Sequence, residues 1–261
     1  MTRLISGVAL AAAALAAILF LPVVALRALA AAVAAMAAHE YFSITVPKSG
    51  PRRGVMAIIV AAVCWATSGT IGLTMFAAVA LTLAWLAWSV LFANYRIHDA
   101  ATELVATVYI GVPLGMLAAG QILAGSKATL LLMGTVVVSD SAQYYTGRAF
   151  GRRPLAPTIS PKKTIEGAIG GVIFGILFMA VAGRFVLPVL GIPALALLGA
   201  VVVVLGILGD LFESRLKRDA GVKDSSALIP GHGGVLDRID ALILAIPVVW
   251  YYWTLMHSPV N

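Results

Sequence analysis

From Ile192 to Gly209 no side chain carries a charge, and Asp210 is followed at once by Leu211. A helix needs about 20 apolar residues to cross a bilayer, and a helix satisfies its own backbone inside hydrocarbon. Similar runs occupy residues 4–21, 23–42, 54–67, 70–92, 100–123, 129–145, 167–187, 192–211 and 241–256. Only 11% of the chain is charged, against about 25% in soluble domains, and its mean hydropathy is +1.01. The pattern predicts an all-α, polytopic integral membrane helical bundle of about nine transmembrane helices. The run at 54–67 is short, so it either tilts or forms a broken pair with its successor around Ser68-Gly69-Thr70. Arg3 and Ala28-Leu29-Ala30 give the first run some signal-peptide character, but the polytopic remainder favours an uncleaved span. We expect one membrane domain, with an N-terminal multispan region at 1–138 and a site-bearing region at 139–261.

Charge predicts the orientation. With nine spans, the N-terminus and the connections at 43–53, 93–99, 146–166 and 212–240 lie on one side. Of the 18 Lys and Arg, only Arg27, Lys127 and Arg184 fall elsewhere. The positive-inside rule makes that side cytoplasmic and places the C-terminus outside. All eleven carboxylates lie in or beside the cytoplasmic ends. The net charge of +7 is thus a topological signal, and no nucleic-acid partner is expected. Cys64 sits in an apolar run and reads as a small buried hydrophobe.

The polar island at 214–240 breaks the apolar pattern most sharply. Asp210, Ser214 and Lys217 recur at i, i+4 and i+7, on one helical face, with Glu213 beside them. Asp237 and Asp240 are spaced i, i+3, while Arg238 points away from their line. Carboxylates at facing helix ends suit a hard divalent cation, magnesium first, and two such ions can clamp an in-line displacement. Lys and Arg hold phosphate, and Gly231, Gly233 and Gly234 permit tight turns. The competing reading is a set of salt bridges from Asp237 or Asp240 to Arg215 or Lys217, or simply a solvated loop. His232 either donates to phosphate, moves a proton or steadies its glycine turn. With three carboxylates and one histidine, the set does not suit zinc.

A second polar stretch runs Ser160-Pro161-Lys162-Lys163-Thr164-Ile165-Glu166-Gly167. Pro161 stops a preceding helix, and a helix is expected to start around Thr164–Glu166, where free N–H groups favour anions. Lys162 and Lys163 add point charges, though they also fit as topology anchors. Asp140 falls inside an apolar run, at a cost of about 2.5–3.5 kcal/mol on insertion scales. It is either functional or paired with a nearby lysine. Glu40 and Glu103, near cytoplasmic ends, either line the site or cap helices, the structural role being favoured, and Trp65, Trp85, Trp88, Trp250 and Trp253 read as packing or interface anchors. The spaced glycines 111/115 and 167/171/175 permit close helix packing, including at a subunit interface.

The island resembles the signature of the phosphatidate cytidylyltransferases, or CDP-diacylglycerol synthases. Ser214, Lys217-Arg218, Lys223-Asp224, Pro230, His232-Gly233-Gly234 and Asp237-Arg238-x-Asp240 fall where that family has them. The 160–167 stretch, Ser139-Asp140, Tyr144-x-x-Gly147-Arg148 and the turn at 147–154 are similar to it as well. The resemblance covers about 139–240, whereas the first half matches only as a generic multispan region. It implies transfer of CMP from CTP to phosphatidate, giving CDP-diacylglycerol and pyrophosphate for phospholipid synthesis at the inner (cytoplasmic) membrane. It implies magnesium at Asp210, Asp237 and Asp240, with Lys217 and His232 also catalytic. Lys162, Lys163, Lys217, Arg218, Lys223 and Arg238 would hold phosphate. Asp140, Ser160, Thr164, Ser214, Asp224 and His232 would orient substrate or metal. CTP, phosphatidate, the bilayer and a homodimer partner complete the expectation. A CDP-alcohol phosphotransferase would carry Asp-Gly-x-x-Ala-Arg, which is absent. A CTP-dependent polyprenol kinase would release CDP, and a secondary transporter would place polar groups near the midplane of several spans.

Overall fold

The computed structural model describes residues 2–47, 50, 52–69, 80, 82–87, 90–91, 97–229 and 233–257. Most of the expected span at 70–92, the proposed break at Ser68-Gly69-Thr70 beyond Gly69, and His232 lie outside them. Nine α-helices occur among the described residues, with one two-stranded hairpin. Among the described residues four helical regions are long and apolar enough to cross a bilayer: Val23–Thr45, Ile97–Phe150 (kinked within), Ile165–Val186 and Ile192–Asp219. These helices make the chain a multi-pass membrane protein. It forms two compact units, Met1–Ile122 with Asp219–Ile239, and Leu123–Arg218 with Asp240–Asn261.

In the first unit, α1 (Thr2–Phe20) ends before Pro22, which takes the N-cap of α2 (Val23–Thr45). A proline forces the residue before it out of the helical region, so the break follows from the sequence. α2 packs along α3 (Arg52–Thr67), and Ala34, Ala37, Ala38 and Phe42 of α2 and Met56, Val60 and Cys64 of α3 are buried. Arg27 is held at the end of α3: its Nε donates to Ser68 Oγ at 2.9 Å and its Nη2 to the Trp65 carbonyl at 3.1 Å. Its guanidinium also lies 4.5 Å from the centre of the Trp65 ring. The cation thus sits at the C-terminal end of a helix, where a positive charge is favoured, and donates to one of its last carbonyls. α4 (Ile97–Ala106) runs into a π-helical turn, Thr107–Gly111. Pro113, just beyond, lacks an N–H and crowds the carbonyl four residues back, and the wider i→i+5 turn accommodates it. Gly111 rests on the Val60 carbonyl and Gly115 on Cys64 and Thr67.

α5 (Val112–Phe150) is interrupted at Gly125, whose φ is +82°, so residues 97–150 are two helical stretches, as the runs at 100–123 and 129–145 predict. In the second unit β1 (Pro154–Ala156) pairs antiparallel with β2 (Ser160–Thr164). α6 (Ile165–Val186) follows directly, and Thr164 Oγ1 accepts the Gly167 N–H at 3.1 Å as its N-cap. Gly167, Gly171 and Gly175 lie against Gln143, Ser139 and Val203 of the same unit. Both glycine stripes are therefore spent inside the chain and are not free for a subunit interface.

α7 (Ile192–Asp219) has 28 residues and is about 42 Å long, against a hydrocarbon core of about 30 Å. Its uncharged part ends at Gly209, so Asp210 onward forms the polar end. The expected span at 241–256 is split into α8 (Leu236–Ile243) and α9 (Ile246–His257). Pro247 explains the split: it cannot donate to the carbonyl of Ile243, and a proline fits only the first turn of a new helix. Ile169, Ile173, Leu177 and Val181 form an exposed apolar stripe on α6. Such a stripe is at home in lipid and unfavourable in water.

Candidate functional site

The second unit gathers one polar cluster. Gly209 brings α7 against α8 so closely that a Cβ there would run into the Asp240 carbonyl oxygen. Gly206, one turn earlier, would meet the Ala241 carbonyl at 3.2 Å. This approach makes Asp210 and Asp240 electrostatic neighbours. Burial first, and the Asp210 carboxylate next, push Asp240 up to about 7, against the Ala241 N–H and Lys217. Lys163, at the end of β2, pairs with Asp210 Oδ2. Ser214 Oγ donates to Asp210 Oδ1 at 3.3 Å from one turn along α7. Asp140 on α5 lies within the same field, and its Oδ1 accepts from Gln143 Nε2 at 3.0 Å. Lys217 is buried and pairs with the fully buried Glu213 on its own helix.

The hairpin presents its residues differently. Lys162 is exposed, Ser160 pairs with Ala156, and Thr164 serves as the helix cap. Arg218 donates to the Ile159 carbonyl at 3.3 Å, tying α7 to the strand connection. Glu166 Oε2 accepts the N–H groups of Arg152 and Arg153 at 3.0 and 3.2 Å. One acidic side chain thereby fixes the turn that leads into β1, and Arg152 and Arg153 stay exposed.

The first unit holds a second polar arrangement, around the glycine turn. Asp237 Oδ2 accepts from Ser225 N, Ser225 Oγ and Gly234 N at 3.0, 2.8 and 2.7 Å. Gly233 adopts φ +77°, a left-handed conformation suited to glycine. Gly234 has no room for a side chain, because a Cβ would run into Ser225 Oγ and the Glu40 carboxylate. Lys223, Asp224 and Arg238 are exposed. Glu40, 5% exposed on α2, accepts from Ser225 Oγ at 3.0 Å, Ser226 Oγ at 2.7 Å, Val235 N at 3.0 Å and Leu236 N at 2.8 Å. Sequence reasoning weighed a site-lining or helix-capping role for Glu40 and favoured a structural one. The one local signal was a carboxylate near the end of a largely apolar helix.

Asp210 and Asp240 offer hard oxygen donors, which suit magnesium better than zinc. Two neighbouring carboxylates, one of them pushed toward neutrality by burial first and by the other next, form a site that a cation would relieve. Among the described residues no three His, Cys, Asp or Glu side chains converge tightly enough to enclose an ion. Water and substrate oxygens fit that open character, because magnesium keeps several waters.

The cytidylyltransferase family matches residues 1–256 of the chain. A phosphatidate cytidylyltransferase of Haemophilus influenzae is 46% identical over 130 residues, which cover 48% of this chain and 45% of that one. One from Aquifex aeolicus is 46% identical over 121 residues, 46% of this chain and 45% of its own. One from Staphylococcus epidermidis is 38% identical over 172 residues, 66% of each. The chain spans about half the length of the first two of these curated relatives.

Proposed function

The chain belongs to the cytidylyltransferase family, and from that premise we propose that it transfers CMP from CTP to phosphatidate, yielding CDP-diacylglycerol and pyrophosphate. One observation supports this reading most strongly: Asp210 and Asp240 are brought side by side where Gly209 meets the Asp240 backbone, with Lys163 on Asp210. The names of the relatives point to the same lipid substrate.

In this reading an oxygen of the phosphatidate phosphate attacks the α-phosphorus of CTP. The bond to the β-phosphate oxygen breaks, and pyrophosphate leaves. Such transfers depend on positioning and charge stabilisation and need no protein nucleophile. Asp210 and Asp240 would hold magnesium, with Asp140 beside them, and the metal would neutralise charge on the phosphate oxygens. Lys163 orients Asp210 and lends positive charge to the triphosphate, assisted by Lys162 from the exposed strand. Lys217 keeps the α7 face cationic while its Glu213 partner holds it in place. Ser214 fixes the Asp210 rotamer. Arg218, Ser160 and Thr164 shape the hairpin and the start of α6, and Arg218 also adds charge for phosphate. Asp237, whose Oδ2 already accepts three donors, shapes the glycine turn, and Lys223, Asp224, His232 and Arg238 are proposed to meet substrate phosphate from that loop. We place this chemistry on the cytoplasmic side of a nine-span protein in the inner membrane, where CTP is available. A homodimer would have to use faces other than the glycine stripes.

The test is direct. The purified chain in phosphatidate vesicles with labelled CTP and magnesium should form a labelled lipid and release pyrophosphate. Release of CDP in its place would identify a lipid kinase, and no lipid product would refute both.

A further inference from the structure

We propose that Glu40 is a positioning residue for this reaction, a clamp that holds residues 225–226 to the start of α8; the catalytic part of the proposal rests on the cytidylyltransferase reading. Glu40 stands on α2, and its four hydrogen-bond partners among the described residues are Ser225, Ser226, Val235 and Leu236. Each carboxylate oxygen takes one hydroxyl and one backbone N–H: Oε1 from Ser226 and Val235, Oε2 from Ser225 and Leu236. Val235 and Leu236 open α8, where N–H groups lack helical partners and favour a negative charge. Glu40 thereby caps, from another element, the helix that carries Asp237 and Asp240.

The loop is built to receive this carboxylate. Ser225 Oγ lies 3.0 Å from Glu40 Oε2 and 2.8 Å from Asp237 Oδ2, so one hydroxyl links the clamp to Asp237. Gly234 leaves the space that the Glu40 carboxylate and Ser225 hydroxyl fill. Space-filling does not explain this arrangement, because it requires acceptors on both oxygens. Glutamine has the same shape, yet its NH2 would face either the Val235 or the Leu236 N–H, two donors with no acceptor between them. A buried donor left in that state is costly, and hydrogen bonds to charged groups are among the strong ones. The loop would then spend more time open, with the α8 start released.

The experiment compares wild type, Glu40→Gln, Glu40→Asp and the double variant Ser225→Ala/Ser226→Ala, each as the full chain in detergent. Trypsin cleavage after the exposed Lys223 reports loop opening without any need for turnover. We expect Glu40→Gln to raise that cleavage rate about tenfold or more and to lower kcat for CDP-diacylglycerol formation about as much, with KM for CTP changed less. Glu40→Asp keeps two acceptors and should recover part of both. Wild-type cleavage and turnover in Glu40→Gln would overturn the proposal. If the Gln variant does not fold, the serine double variant decides, since it removes two donors and keeps the charge; unchanged cleavage and kcat there would likewise overturn it. If the wild-type chain makes no lipid product, the transferase reading fails while the cleavage rates still judge the clamp.

Discussion

Lys163 pairs with Asp210 across 47 residues of chain, joining the end of a β-hairpin to the polar end of a long apolar helix. Both side chains are partly accessible, at 22% and 30%, so the pair remains within reach of substrate. An ion pair in such a place holds its carboxylate still and leaves the lysine able to meet a phosphate. The neighbouring Lys162 has no such anchoring in the hairpin and points outward.

That difference separates the two lysines. Lys163→Met should lower turnover at least about tenfold and raise KM for CTP, because Asp210 loses its partner and the site loses a charge. Lys162→Met should cost less, about threefold or under, as expected for an exposed cation. Steady-state kinetics with CTP and phosphatidate give both values.

Asp240→Asn removes the carboxylate beside Asp210, one proposed magnesium donor. We expect turnover to fall by about two orders of magnitude or more, in line with loss of one preorganised electrostatic group. The half-saturating magnesium concentration should rise at the same time. Turnover near wild type at ordinary magnesium would remove Asp240 from the metal site.

Glycine spacing predicts stability. Gly209→Ala would press a methyl into the Asp240 backbone, and Gly234→Ala would press one into Ser225 and Glu40. Overpacking of this kind costs about 1–3 kcal/mol. Gly54, exposed on α3 with nothing within 4 Å of a built Cβ, is the contrast. Gly54→Ala should be neutral or stabilising by about 0.5–1 kcal/mol, since alanine restricts the unfolded helix segment. Thermal unfolding in detergent should rank the three in that order.

Orientation can be read with one thiol. Cys64 is fully buried, so Cys64→Ser gives a background that impermeant maleimides do not report. Lys223→Cys in that background should label in inverted vesicles and stay protected in right-side-out cells. The opposite pattern would reverse the charge-based topology.

Local signals in the sequence were enough to locate some of these features. Pro161, Thr164 and Glu166 announced the start of α6, and Thr164 does cap it. The grouping of Asp210, Ser214 and Lys217 on one face follows from helix periodicity, and Ser214 does reach Asp210. What escaped was non-local or conformational. The hairpin at 154–164 is too short and too polar to show alternation, and its register is set by tertiary context. The split of the last span turned on Pro247, which an apolar window passes over. Glu40 finds Ser225 185 residues away, and no local pattern carries that pairing.

That separation also bears on how the protein is made. Glu40 emerges from the ribosome 196 residues before Leu236, the last of its partners. Until those partners exist the carboxylate has none of these four donors, and burying it without them is costly. Burial of Glu40 therefore follows the synthesis of Ser225 to Leu236, and a chain truncated before residue 225 keeps an acid on α2 without these four donors.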